Sequence, residues 1–208
     1  MDTDSLLYSF CHHKPDRLLE FLGGHTLLCA RCSGIYLGFL VAGIAFLALR
    51  RRVGSASLKN LWVAYVLMAV VPLEVAAEVW LGLDPGNYGR YLTGMAFGSG
   101  FARVVLVFAE QFFELPTASA GGITRREWLQ IAVAFVCTAL VVLLWEPAVF
   151  NGAVLFGLLA AYVSINFVIA RGILGIRSLV WCLIVAFLLT FAEWGLLYWT
   201  NNYLKPLG

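Results

Sequence analysis

Six runs of about twenty apolar residues follow one another along this chain of 208 residues, and nothing else in it constrains the fold as tightly. A helix needs about 20 such residues to cross roughly 30 Å of hydrocarbon. The runs cover about Cys32 to Leu49, Leu61 to Leu83, Tyr91 to Phe113, Glu127 to Trp145, Ala148 to Ala170 and Arg177 to Trp199. Hydrophobic residues make up 62% of the chain and charged residues 12%. A soluble core of this size cannot hide that much apolar surface, so the lipid bilayer is the expected solvent. In lipid the chain must satisfy its own backbone polar groups, which leaves helices or closed barrels. Runs this long and continuous exclude barrel strands. The expected fold is an all-α integral membrane protein of about six transmembrane helices. A net charge of +2 gives no basis for binding nucleic acid. Trp62, Trp80, Trp128, Trp145 and Trp199 lie near the ends of runs, where indole rings anchor at the interface.

The runs fall into two sets of three. Residues 1–31 form an N-terminal Cys/His cap and residues 32–113 the first three-helix set. Residues 114–126 are a linker containing Pro116 and Gly121-Gly122, and residues 127–208 are the second three-helix set. Basic residues mark alternate loops: Arg50, Arg51, Arg52 and Lys59, then Arg125 and Arg126, then Arg171 and Arg177. The positive-inside rule puts these loops in the cytoplasm and the cap on the outer face of the cell (inner) membrane. Lys14, Arg17 and Arg31 in the cap pull against that orientation. Met1-Asp2-Thr3-Asp4 lacks the basic start of a signal peptide, so the first span is expected to act as an uncleaved insertion signal.

Three of the five cysteines and all three histidines fall within the first 32 residues. Cys11-His12-His13 precedes Cys29-Ala30-Arg31-Cys32, which opens the first run. Three thiolates and one imidazole make a tetrahedral zinc site, and the Cys-x-x-Cys spacing lets one tight turn present two of them. His12, His13 and His25 compete for the fourth position. His12 is strained by its neighbour Cys11, and His25 is better spaced. A metal would pin a cap that lacks its own core. The same residues allow a redox reading: Cys29 and Cys32 at a helix N-terminus, with Arg31 beside them, would exchange disulfides and pass electrons to a quinone. A structural disulfide is the third reading. Leu6, Leu7, Phe10, Leu18, Leu19, Phe21 and Leu22 suggest short amphipathic helices between the breaks at Pro15-Asp16 and Gly23-Gly24. Cys137 and Cys182 lie inside runs and are expected to be small core residues.

Cys11-His12, Pro15 and Arg17, then Cys29-Ala30-Arg31-Cys32-x-Gly34-x-Tyr36-x-Gly38, form a quite specific pattern. It resembles a widespread group of small prokaryotic membrane proteins classed as a domain of unknown function. The resemblance continues through Pro72, Glu74, Glu78, Asn87, Arg90, Thr93 and Gly94, and covers roughly residues 8–100. The chain departs from the family pattern at Glu74 and Glu78, where Asp and Gln are more usual, and it adds a second set of three helices. The resemblance implies a membrane protein with a shared Cys/His/Arg cap, and it supplies no activity.

Four charged residues lie deep inside the runs. Glu74 and Glu78 share one helix face, Arg103 sits midway along the third run and Glu193 in the last third of the sixth. Each costs about 2.5–3.5 kcal/mol or more in lipid unless paired or hydrated. They are expected to form a polar pocket below the cap, with Arg103 reaching Glu74, or a helix-holding clamp. Asn166 reads as interhelical glue, and Gly34-x-x-x-Gly38 and Gly94-x-x-x-Gly98 as close-packing faces. Arg17 and Arg31 are candidates for lipid phosphate. No hydrolase or ATPase motif is present. The expected function is non-enzymatic: a zinc-capped small transporter or an accessory subunit of a membrane complex, with partner subunits or a homo-oligomer. The alternatives are a thiol-disulfide oxidoreductase and a lipid head-group binding protein.

Overall fold

The computed structural model describes residues 11, 15–21, 24–49, 61–113, 132, 136 and 146–204. His12, His13, Cys137, the basic residues of the first and third loops, and all but two residues of the fourth run lie outside them. Among the described residues five helices are long and apolar enough to span a membrane: α1 (Ala30–Leu49), α2 (Trp62–Leu81), α3 (Gly86–Phe113), α4 (Pro147–Gly172) and α5 (Leu179–Leu204). The protein is an all-helical membrane protein, apart from a small cap.

The helix ends follow from local chemistry. Gly82 closes α2 in the left-handed conformation, φ 66°, and Leu83 N–H turns back onto the Ala77 carbonyl at 3.3 Å. Asp84 then accepts the Gly86 N–H at 2.8 Å and opens α3. Pro147 starts α4 at a position where its missing N–H costs nothing. At the other end, Arg171 donates to the Ile176 carbonyl at 2.9 Å.

α1 and α3 form the centre of the bundle, and their glycines are the reason. A Cβ at Gly34 or Gly38 would overlap the backbone of Tyr91 or Met95, and one at Gly94 or Gly98 would overlap that of Arg31 or Ile35. The two small-residue faces therefore meet each other, backbone against backbone. α2 packs chiefly on α3, α4 on α1, and α5 on α4. α2 and α5 present long apolar faces outward, with Trp80 81% exposed, as a lipid-facing surface requires.

α1, α3 and α4 all start at the cap, and α2 ends there. α3 therefore finishes at the end of the bundle away from the cap, while α4 starts beside it. The fourth expected span falls between Phe113 and Pro147, almost wholly outside the described residues.

The expected amphipathic piece at Leu6, Leu7 and Phe10 lies outside the described residues, and the second differs from expectation. Among the described residues the cap is a 3₁₀ turn, Pro15–Arg17, followed by a two-residue antiparallel ladder of β1 (Glu20–Phe21) and β2 (Gly24–His25). The chain reverses too soon after Leu19 for a helix to form. Leu19 N–H donates to Thr26 Oγ1, and Thr26 N–H returns to the Leu19 carbonyl, each at 3.0 Å. Cys11, Leu19 and Leu28 are buried with Tyr91 of α3 and Phe150 of α4. The cap thus shares a core with the helices.

Candidate metal centre

Cys11, Cys29 and Cys32 converge where the cap meets the start of α1. Their three Sγ atoms lie within 4.8 Å of one another, and none forms a disulfide. Thiolates at about 2.3 Å from one tetrahedral ion stand about 3.8 Å apart, so the set needs only a small contraction to share an ion. Cys29 N–H donates to Cys11 Sγ at 3.3 Å. A hydrogen bond of that kind favours the charged thiolate. Without a cation, donation of the Cys29 thiol proton to Cys11 sulfur, together with burial, pushes the Cys29 thiol above its ordinary value near 9.

His25, the better-spaced candidate for the fourth position, is not with the thiols. Its side chain is 63% exposed, with Nδ1 3.9 Å from Glu20 Oε1. β2 faces it away from the cysteine turn. His12 and His13, the other candidates, lie outside the described residues. Cys182 is buried, and its thiol donates to the Ile176 carbonyl at 2.9 Å, as a core residue.

Below the thiols lies a compact ion-pair cluster that joins the cap to α1, α2 and α3. Arg31 leaves the Cys-x-x-Cys turn and reaches α2: its Nη2 is 2.6 Å from Glu74 Oε1 and 3.3 Å from Glu78 Oε2. Glu78 Oε1 also accepts from Arg17 at 3.1 Å and Arg90 at 2.8 Å. Thr93 donates to Glu74 Oε2. Arg90 further pairs with Asp84 at 3.1 Å. Two buried or half-buried carboxylates thus bridge three guanidiniums, with the more exposed Asp84 balancing the charge. Three helices and the cap share them, an arrangement that opposite charges at low dielectric hold firmly only when each has partners.

Asparagines complete the seat. Asn87 Nδ2 donates to the carbonyls of Asp16 at 3.0 Å and Leu18 at 2.9 Å. Asn151 at the start of α4 accepts the Leu27 N–H at 2.9 Å and donates to the His25 carbonyl at 3.2 Å. Sequence reasoning missed Asn151. One polar residue in the first turn of an apolar run was its only signal.

The expected four-residue pocket is divided. Glu74 and Glu78 stand together, but Arg103 does not reach Glu74. It lies ten residues beyond Thr93 on α3, about 15 Å by helix rise, with its guanidinium 5.1 Å from the Phe46 ring centroid. Glu193 belongs to the second set, where Asn166 Nδ2 donates to its Oε2 and to Thr190 Oγ1, each at 3.0 Å. Asn166 is the interhelical tie its sequence position suggested.

Comparisons with known proteins agree with the sequence pattern. An uncharacterized protein of Methanocaldococcus jannaschii is 35% identical over 107 residues, which is 50% of this chain and 65% of the relative. The chain thus matches just under two thirds of that relative's length. An uncharacterized protein of Methanothermobacter thermautotrophicus is 29% identical over 99 residues, 47% of this chain and 85% of the relative. No solved structure matches. The profile described as "Predicted membrane protein (DUF2085)" matches residues 11–104, from the first cap cysteine to just past Arg103. Those residues, the cap and most of the first three helices, are thus similar to the DUF2085 family of predicted membrane proteins.

Proposed function

We propose that this is a non-enzymatic membrane protein whose cap is fixed by a zinc ion held on Cys11, Cys29 and Cys32, and that it serves as an accessory subunit of a membrane complex. The convergence of three free thiols within 4.8 Å carries the reading. Soft, clustered thiolates select zinc among abundant divalent ions. Cys29 N–H supports the charge on Cys11, and the fourth position falls to a group outside the three thiols, with His12 the sequence candidate. A bound ion would supply the cross-link that joins Cys11 of the cap to the start of α1.

A redox role fits less well. Arg31, which would lower a neighbouring thiol, is occupied by Glu74 and Glu78. The Cys29 thiol is raised, the opposite of what a disulfide-exchange nucleophile needs. Transport through Glu74 and Glu78 is likewise disfavoured, because guanidiniums of Arg17, Arg31 and Arg90 already occupy their oxygens. The same pairing keeps Arg17 and Arg31 from lipid phosphate. What remains is a rigid seat with long apolar outer faces on α2 and α5.

The test is purification in mild detergent with zinc present, followed by size measurement and identification of co-eluting chains. A stoichiometric second polypeptide, lost when Cys29→Ser removes the metal, supports the subunit reading. A single chain that carries ions or solutes into vesicles contradicts it.

A further inference from the structure

A cavity of about 530 Å³ lies between α1, α3, α4 and α5, beneath the cysteine turn. Its volume is that of a small-molecule site, which is typically about 300–1,000 Å³. Its walls form two layers. Nearer the cap are Tyr36, Tyr162 and Glu193; one helical turn deeper on α1, α3 and α4 are Phe39, Phe101 and Ile165. Three polar side chains thus interrupt a lining that is otherwise hydrocarbon.

The polar part of the cavity is built. Tyr36 on α1, Tyr162 on α4 and Glu193 on α5 share its lining. Asn166, which is buried, donates to that carboxyl group and also to Thr190. Trp194 packs edge-on against Tyr162 with ring centroids 6.1 Å apart. Leu196, 61% exposed, lies on the lining and marks the side that faces lipid.

We propose that this cavity binds a neutral, lipid-soluble molecule with a carbonyl or hydroxyl head and an isoprenoid or alkyl tail. The head meets Tyr36, Tyr162 and Glu193, and the tail runs past Phe39, Phe101 and Ile165. An anionic head is disfavoured by the carboxyl group, and any charged head by the surrounding hydrocarbon. The site does not depend on a metal at the cap.

The test uses the full chain in nanodiscs and follows tryptophan fluorescence. A decyl-substituted benzoquinone is the quenching probe, and dodecanol and phosphatidylglycerol are competitors. The expected result is saturable quenching that is largely lost in Trp194→Phe. Dodecanol competes and phosphatidylglycerol does not. Tyr162→Phe and Glu193→Gln weaken binding by about fivefold or more, the loss of one or two hydrogen bonds to the head. If Tyr162→Phe unfolds, Tyr36→Phe tests the same polar lining from the opposite wall. Non-saturable quenching, equal competition by phosphatidylglycerol, or unchanged affinity in the folded variants would overturn the proposal.

Discussion

Arg31 and Glu74 make the shortest ion pair at the cap, 2.6 Å between Nη2 and Oε1, and they tie the cysteine turn to α2. The pair matters because α2 has little else to hold it. Most of its surface faces outward, and Ala64 is its only buried side chain among the described residues. Glu74 itself is 7% exposed. Arg31→Ala would leave that carboxylate deprived of its main partner, at a cost of about 3 kcal/mol. Denaturant or thermal unfolding in detergent reads the loss. Arg31→Lys should recover only part of it, because the shorter, flexible lysine stem does not hold its charge at the Nη2 position that meets Glu74 and Glu78.

The α1–α3 contact tolerates no side chain at its glycines. Gly98→Leu would drive a side chain into the Ile35 backbone, and the two helices must separate to accept it. The expected loss exceeds the roughly 1–3 kcal/mol typical of overpacking. A cysteine pair engineered across the interface would cross-link in the parent chain and not in the variant. Gly43→Leu, where a Cβ meets nothing within 4 Å, is the neutral control.

Asn151 seats the cap from α4 through two hydrogen bonds. Asn151→Ala should cost about 1–2 kcal/mol. Amide exchange should rise locally at residues 24–28, while exchange in α1 and α3 stays unchanged. Unchanged protection at residues 24–28 in Asn151→Ala would remove Asn151 from the seat.

How much of this could be read in advance depended on the range of the signal. The spans were legible because hydrocarbon thickness fixes run length, and the Gly34/Gly38 and Gly94/Gly98 faces because close approach leaves a spacing in the sequence. Cys11, Cys29 and Cys32 were legible as a group from ligand spacing. The partner of Glu74 was not. Arg103 was nearer in the membrane by linear reckoning, but Arg31 projects sideways from a turn whose path only the cap's hairpin defines. The same hairpin moved His25 away from the thiols, since a ladder pairing Glu20 with His25 commits that side chain to solvent. Helices had been expected there because apolar residues in the cap suggested them, but Thr26 captures Leu19 first.

In the metal-free protein the raised Cys29 thiol stays protonated at neutral pH. Its folded-state proton is held more tightly than in the unfolded chain. That contribution to stability is full below about pH 9 and is lost as pH rises through the folded value. Alkylation of Cys29 by iodoacetamide at pH 7.5 should therefore be slower than that of a free thiol, and should accelerate only in alkali. With metal bound the sign reverses, because ligation needs the thiolate: affinity falls as pH falls, and acid releases the ion.

The most direct test of the account is elemental analysis of the purified protein, paired with a count of reactive thiols before and after a chelator. The account predicts about one zinc per chain, with Cys11, Cys29 and Cys32 becoming reactive only after chelation. A metal-free protein with a reducible disulfide among those three cysteines would contradict it.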